Sequence, residues 1–139
     1  MGCGQSTKEE PLNAVVPEEV IAKQRNYQVR CRHILFKHEG SKNPVSHRTG
    51  KSTLGIKKED AFKLACKWQW DVKNKAAYFD TSASSESDCS SYKLGGDLGW
   101  FGHGEMMRPF EDAVYALKIR EISEVVSTEC GFHVIERTG

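Results

Sequence analysis

EVVSTECGFHVIER, residues 124–137, decides the fold. Val125 to Thr128 and Phe132 to Ile135 are strand-forming runs, and Glu129 to Gly131 between them is a tight turn, so the segment reads as two short strands. Working outward, RPFEDAVYALK (108–118) is helical. Pro109 suits the first helical position, Glu111 and Asp112 suit the positive N-terminal end, and Phe110, Ala113, Val114 and Leu117 form the apolar stripe. KKEDAFKLACKWQWDVKNK (57–75) predicts the longest helix, with Ala61, Ala65, Trp68 and Val72 on one buried stripe and Phe62 also assigned to the core. AAYFDTSASSESD (76–88) predicts a shorter helix, with Phe79 and Ala83 spaced four apart. YQVRCRHILF (27–36) reads as a strand that puts Val29, Cys31, His33, Leu35 and Lys37 on one face. The order strand, helices, strand, helix, hairpin implies an α+β domain, with helices packed on a small, mostly antiparallel sheet.

With 139 residues there is room for one ordinary domain. Residues 1–26, with Pro11, Pro17 and no sustained periodicity, read as a tail, and 27–139 as the folded domain. Net charge is +1, yet from Lys23 to Lys58 ten Lys or Arg stand against one acid, Glu39. Such a run is either a solvated surface or a site for an anionic group. Five cysteines without a C-x-x-C pair argue against a disulfide framework and a zinc site, and for a reducing compartment. No apolar run approaches the ~18 residues of a membrane span. MGCGQS, the first six residues, fits the N-myristoylation pattern at Gly2, with Cys3 beside it as a palmitoylation candidate. Two acyl chains would anchor the chain where one binds only marginally.

Candidate chemistry is sparse. GKST (50–53) lacks the upstream glycine of a phosphate loop at the required spacing, so no nucleotide site follows. A histidine on a strand is more often a satisfied core residue than a catalyst. Cys31, His33, Cys89, Thr128 and His133 nevertheless form a polar cluster if the first and last strands are neighbours, since buried polar groups hydrogen-bond one another. GGDLGWFGHG (95–104) alone is no more than a series of turns and a short strand.

Four blocks taken together, VRCRHILFKH, SDCSS, GGDLGWFGHGEMMRPFEDAVYAL and TECGFHVIERTG, resemble the parvulin family of peptidyl-prolyl cis/trans isomerases, in particular its Pin-type branch, which acts at phosphoserine- or phosphothreonine-proline. The resemblance runs from about Tyr27 to the last residue. It implies a four-stranded, mostly antiparallel sheet surrounded by about four helices. Residues 1–26 contain no tryptophan, so the WW module common in that branch is not expected there. Position by position, the resemblance makes His33 and His133 the facing histidine pair, Cys89 the active-site cysteine and Thr128 the hydroxyl beneath them. Leu98, Met106 and Phe110 match the proline pocket, and Lys37 the first phosphate-binding lysine. Two adjacent arginines of the family's phosphate loop are here Lys42 and Asn43, its tryptophan is His47, and the serine before the final glycine turn is Cys130. Lys42 still offers a point charge, without the bidentate fork of arginine.

The implied function is isomerisation of X–Pro bonds, with preference for phosphorylated or acidic residues before proline and phosphorylated Ser/Thr-Pro proteins as partners. No cofactor, metal or nucleic acid is expected. The chain is expected to be a cytoplasmic monomer, held at membranes if acylated, with the nucleus left open. An alternative is a low-turnover phosphoprotein-binding module tethered to membranes. A cysteine hydrolase is disfavoured, because no acid or amide stands ready to orient either histidine. An unperturbed thiol is only a few per cent ionised at neutral pH, so a non-covalent role is expected for Cys89.

Overall fold

A computed structural model describes residues 27–139; the tail with Gly2 and Cys3 lies outside the described residues. The elements are β1 (Val29–Phe36), α1 (Lys58–Lys73), α2 (Phe79–Glu86), a 3₁₀ turn (Ser90–Leu94), β2 (Asp97–Phe101), α3 (Arg108–Ala116), β3 (Val126–Thr128) and β4 (Gly131–Arg137). They build one four-stranded sheet in the order β2-β1-β4-β3. Every neighbouring pair is antiparallel, so the first and last strands lie side by side.

Strand alternation divides the core in two. Ile34 and Phe36 of β1 join Phe132 and Val134 of β4 under α1 and α2. Val29 and Cys31 join Ile135, Phe101 of β2 and Phe110, Val114 and Tyr115 of α3. The sheet is therefore covered on both faces, which explains the nearly continuous burial of β1.

Two helix readings need correction. In α1 the fully buried stripe is Ala61, Ala65, Gln69 and Val72, and Trp68 packs against it only partly buried. Gln69 tolerates burial because its amide donates to Ser123 O at 3.0 Å. Phe62 is a rim residue, 37% exposed, with its ring edge-on to Phe132. In α3 Glu111 lies in the first turn, as expected. It is buried, accepts the Gly104 N–H at 2.8 Å and holds His103, thereby pinning the loop between β2 and α3.

Two glycines admit no other residue. Gly96 has φ 87°, and a Cβ there would lie 2.4 Å from His33 O; Gly131 has φ 140°, and its Cβ would lie 2.4 Å from Phe36 O. Both sit where the chain crosses β1 closely, one on each side of the site described next.

Candidate active site

β1 and β4 run in a register that pairs His33 with Ile135 and Leu35 with His133. The two histidines are thus diagonal neighbours on one face of the sheet. Their Nδ1 atoms are 3.0 Å apart, with ring planes 18° from parallel and centroids 5.1 Å apart. One Nδ1 must donate and the other accept. On the far side of His133, Nε2 lies 2.7 Å from Thr128 Oγ1, which also accepts the Cys130 N–H at 3.1 Å. Burial, then the neighbouring His33, holds His133 well below its ordinary 6.5, so it is neutral around pH 7.

Cys89 arrives by a substitution of partners along β1. β2 pairs with β1 only as far as Arg32; beyond it, His33 N–H donates to Gly96 O at 3.0 Å. Ser87 and Asp88 then take over. Ser87 Oγ accepts the Leu35 N–H at 3.0 Å, Asp88 N–H donates to Leu35 O at 2.8 Å, and Asp88 Oδ2 accepts the Lys37 N–H at 2.9 Å. The segment before Cys89 thus continues the ladder that β2 leaves unfinished. Ser87 Oγ also accepts the Cys89 N–H at 3.3 Å, fixing the cysteine backbone.

Partial burial pushes the Cys89 thiol up, but a hydrogen bond and charge from His33, with the Ser91 hydroxyl and N–H, outweigh it and bring the pKa from 9.0 to about 6. This lowering favours the thiolate around pH 7, so the few per cent of an unperturbed thiol does not apply. Cys31, expected in the same cluster, lies instead in the α3-side core. Burial and the Asp97 charge push its thiol up to about 12, where it is inert.

Phe110 is buried and stands edge-on to both histidines, with centroids 5.4 Å from His33 and 5.1 Å from His133. Leu98 and Met106 pack, partly buried, against the same cluster. An apolar wall therefore adjoins a polar cluster whose thiol is shifted towards ionisation.

On the other border runs the loop after β1, closed on itself by the Val45–Ser52 bridge. Lys37 is buried, and its Nζ donates to Asn43 O and Val45 O at 2.8 Å each. Two of its three donors brace the loop, and one remains for a ligand. Lys42 is 74% exposed, with Nζ 3.8 Å from Glu129, and its N–H donates to Glu129 O at 2.8 Å, tying the loop to the β3–β4 turn.

The PPIC-type PPIASE domain model matches residues 19–139. The chain belongs to the parvulin family of peptidyl-prolyl cis-trans isomerases. It is 48% identical over 114 residues to peptidyl-prolyl cis-trans isomerase ESS1 of Saccharomyces cerevisiae, covering 81% of this chain and 66% of that one. To peptidyl-prolyl cis-trans isomerase Pin1 of Arabidopsis thaliana it is 45% identical over 113 residues, covering 80% and 95%. The solution structure of TbPIN1 superposes with a TM-score of 0.76 at 50% identity, covering 81% of this chain and 98% of that one.

This isomerase also uses residues that sequence reasoning missed. Besides Ser87 and Asp88, Arg48 donates from Nε to Ser87 O at 3.1 Å and places Nη2 3.8 Å from Asp88. His47 N–H donates to Asp88 O at 3.0 Å. Arg48 is a positioning residue that locks the loop onto the cysteine segment. The clue available in the sequence was SD immediately before Cys89, a pair that favours side chain–backbone bonding.

Proposed function

We propose that this isomerase prefers X–Pro bonds in which X is phosphoserine, phosphothreonine or an acidic residue, and that phosphorylated Ser/Thr-Pro proteins are its partners. The observation that carries this reading is the position of Lys37 and Lys42: they belong to a loop bonded at one end to the cysteine segment and at the other to the β3–β4 turn. An anion on the residue before proline meets Lys37's remaining donor and the exposed charge of Lys42. Lys42 and Asn43 supply no guanidinium fork, so the preference rests on point charges.

Rotation about an X–Pro bond crosses about 18–20 kcal/mol, because amide resonance is lost midway. No bond is made or broken, so the site must favour the twisted amide over both planar forms. Leu98, Met106 and Phe110 hold the ring and exclude water, while the lysines fix the preceding residue. A planar amide carries more negative charge on its oxygen than a twisted one. A Cys89 thiolate facing that oxygen therefore disfavours the planar forms more than the twisted one. The chain His33–His133–Thr128 holds the His33 ring in place beside this charge.

NMR exchange on matched Ser-Pro, phospho-Ser-Pro and Glu-Pro peptides tests the reading. Faster exchange for the two anionic peptides is expected; equal rates for all three would remove the phosphate preference.

A further inference from the structure

Period-two alternation along β1 turns Arg30 and Arg32 to the face opposite Cys31 and His33. There, away from the proposed active site, a cleft of about 790 Å³ lies between the end of α1, the start of α2 and the turn before β3, with Arg32, Lys73, Lys75, Tyr78, Arg120 and Glu136 on its walls. A hollow of about 360 Å³ shares Arg32 and Arg120 with it and continues towards Trp100.

Two backbone outliers mark this cleft. Lys75, at φ 60°, and Arg120, at φ 78°, are the non-glycine residues with left-handed φ among the described residues, and both line it. Lys75 follows the end of α1, where glycine or asparagine is usual. Arg120 is the third residue of the turn closed by Glu121 N–H to Lys118 O at 2.9 Å, again a position for glycine. At both places the chain spends conformational freedom on a cation. Both are exposed, and neither has an ion-pair partner among the described residues. Between them Arg32 lies 2.8 Å from Glu136 and over the Phe79 ring at 6.0 Å.

We propose that this cleft is a second anion site, which takes a phosphorylated or carboxylate-rich segment of a partner polypeptide. Lys75 and Arg120 supply the charge, Arg32 the positioned floor, and Tyr78, 81% exposed, an apolar contact for the segment. Asp80 and Glu136 interrupt the basic walls, so the cleft suits a discrete anionic group rather than a continuous phosphodiester track. A partner carrying several acidic or phosphorylated sites engages both faces of the sheet, and the second contact raises the local concentration of the first. The proposal uses no residue of the Lys37–Lys42 loop and stands apart from the substrate preference above.

The test is an amide NMR titration of the full chain with a phosphoserine peptide that lacks proline, with a glutamate-rich peptide, with inorganic phosphate and with an oligothymidylate. Both peptides are expected to shift Lys75, Ala77, Arg120 and Ile122. The double variant Lys75→Gly with Arg120→Gly suits the left-handed backbone and should keep the fold, shown by unmoved His33 and His133 signals. It should bind the peptides about tenfold more weakly, as loss of charge-assisted bonds requires. Shifts confined to residues 37–48, equal affinity in the variant, phosphate alone binding as tightly as the peptides, or tighter binding of the oligothymidylate would each overturn the proposal.

Discussion

His33 and His133 meet Nδ1 to Nδ1 at 3.0 Å, so two imidazoles share a single proton between facing nitrogens. Two imidazolium rings cannot keep that contact, because both nitrogens would then be donors. His133 is the member whose burial keeps it neutral. In histidine nitrogen spectra it should remain neutral as pH falls through 6.5, while the unfolded chain protonates there. Since the unfolded state then binds more protons, stability should decrease as pH drops below 6.5. A His133 signal titrating at its ordinary value would contradict the arrangement.

The Cys89 thiolate is open to direct measurement. Alkylation rate against pH should show a midpoint near 6, and His33→Ala should move that midpoint upward. Between about 6 and 9.0 the unfolded chain holds a proton that the folded chain has released. Stability should therefore rise with pH across that window, and fall again as pH drops from 9.0 towards 6. Cys89→Ser should flatten the slope.

If the thiolate acts through its charge, Cys89→Asp should keep activity within about tenfold, whereas removal of an essential nucleophile costs about 10⁴-fold or more. Exchange rates of Cys89→Asp and Cys89→Ser on one peptide separate these outcomes.

Thr128→Val removes the partner of His133 Nε2 and of the Cys130 N–H together. Denaturant unfolding should show a loss of about 1–3 kcal/mol, the cost of stranding partly buried polar groups. Thr128→Ser should recover most of it.

Lys37→Ala and Lys42→Ala should differ sharply. Lys37 is buried and braces Asn43 and Val45, so its loss should lower kcat/KM on phospho-Ser-Pro by about tenfold or more. Lys42 is solvated and screened, and its loss should cost no more than about fivefold and shrink with added salt. Comparable losses for the two variants would place the anion elsewhere.

Strand and hairpin signals carried most of the fold, because β-branched and aromatic residues between turn formers leave few options. Pairing of the first and last strands was not readable: periodicity says which residues share a face, not which strands are neighbours. The cluster of His33, His133, Thr128 and Cys89 was conditional on the first and last strands being neighbours; the family resemblance supplied its roles, and the register explains why the two histidines meet. Cys31 shares the His33 parity along β1, yet it lies among core side chains. The burial of Glu111 and Gln69 was not readable for one reason. A polar residue on a helix is assigned to solvent unless its buried partner is known, and those partners, Gly104 and Ser123, belong to other segments. Ser87, Asp88 and Arg48 escaped because most of their bonds end on the backbone of distant segments, and the SD pair before Cys89 does not say which segment it bonds.

Asp88 touches everything at once: its carboxylate takes the Lys37 N–H, its carbonyl the His47 N–H, its own N–H reaches Leu35, and Cys89 follows it in the chain. The loop that carries Lys37 and Lys42 and the thiol of Cys89 are thus bolted to one bracket. Regrafting residues 37–48 from a relative to change selectivity would also re-aim the sulfur. Any engineered loop should be judged first by the ionisation of Cys89, which serves as a strain gauge for the whole grip.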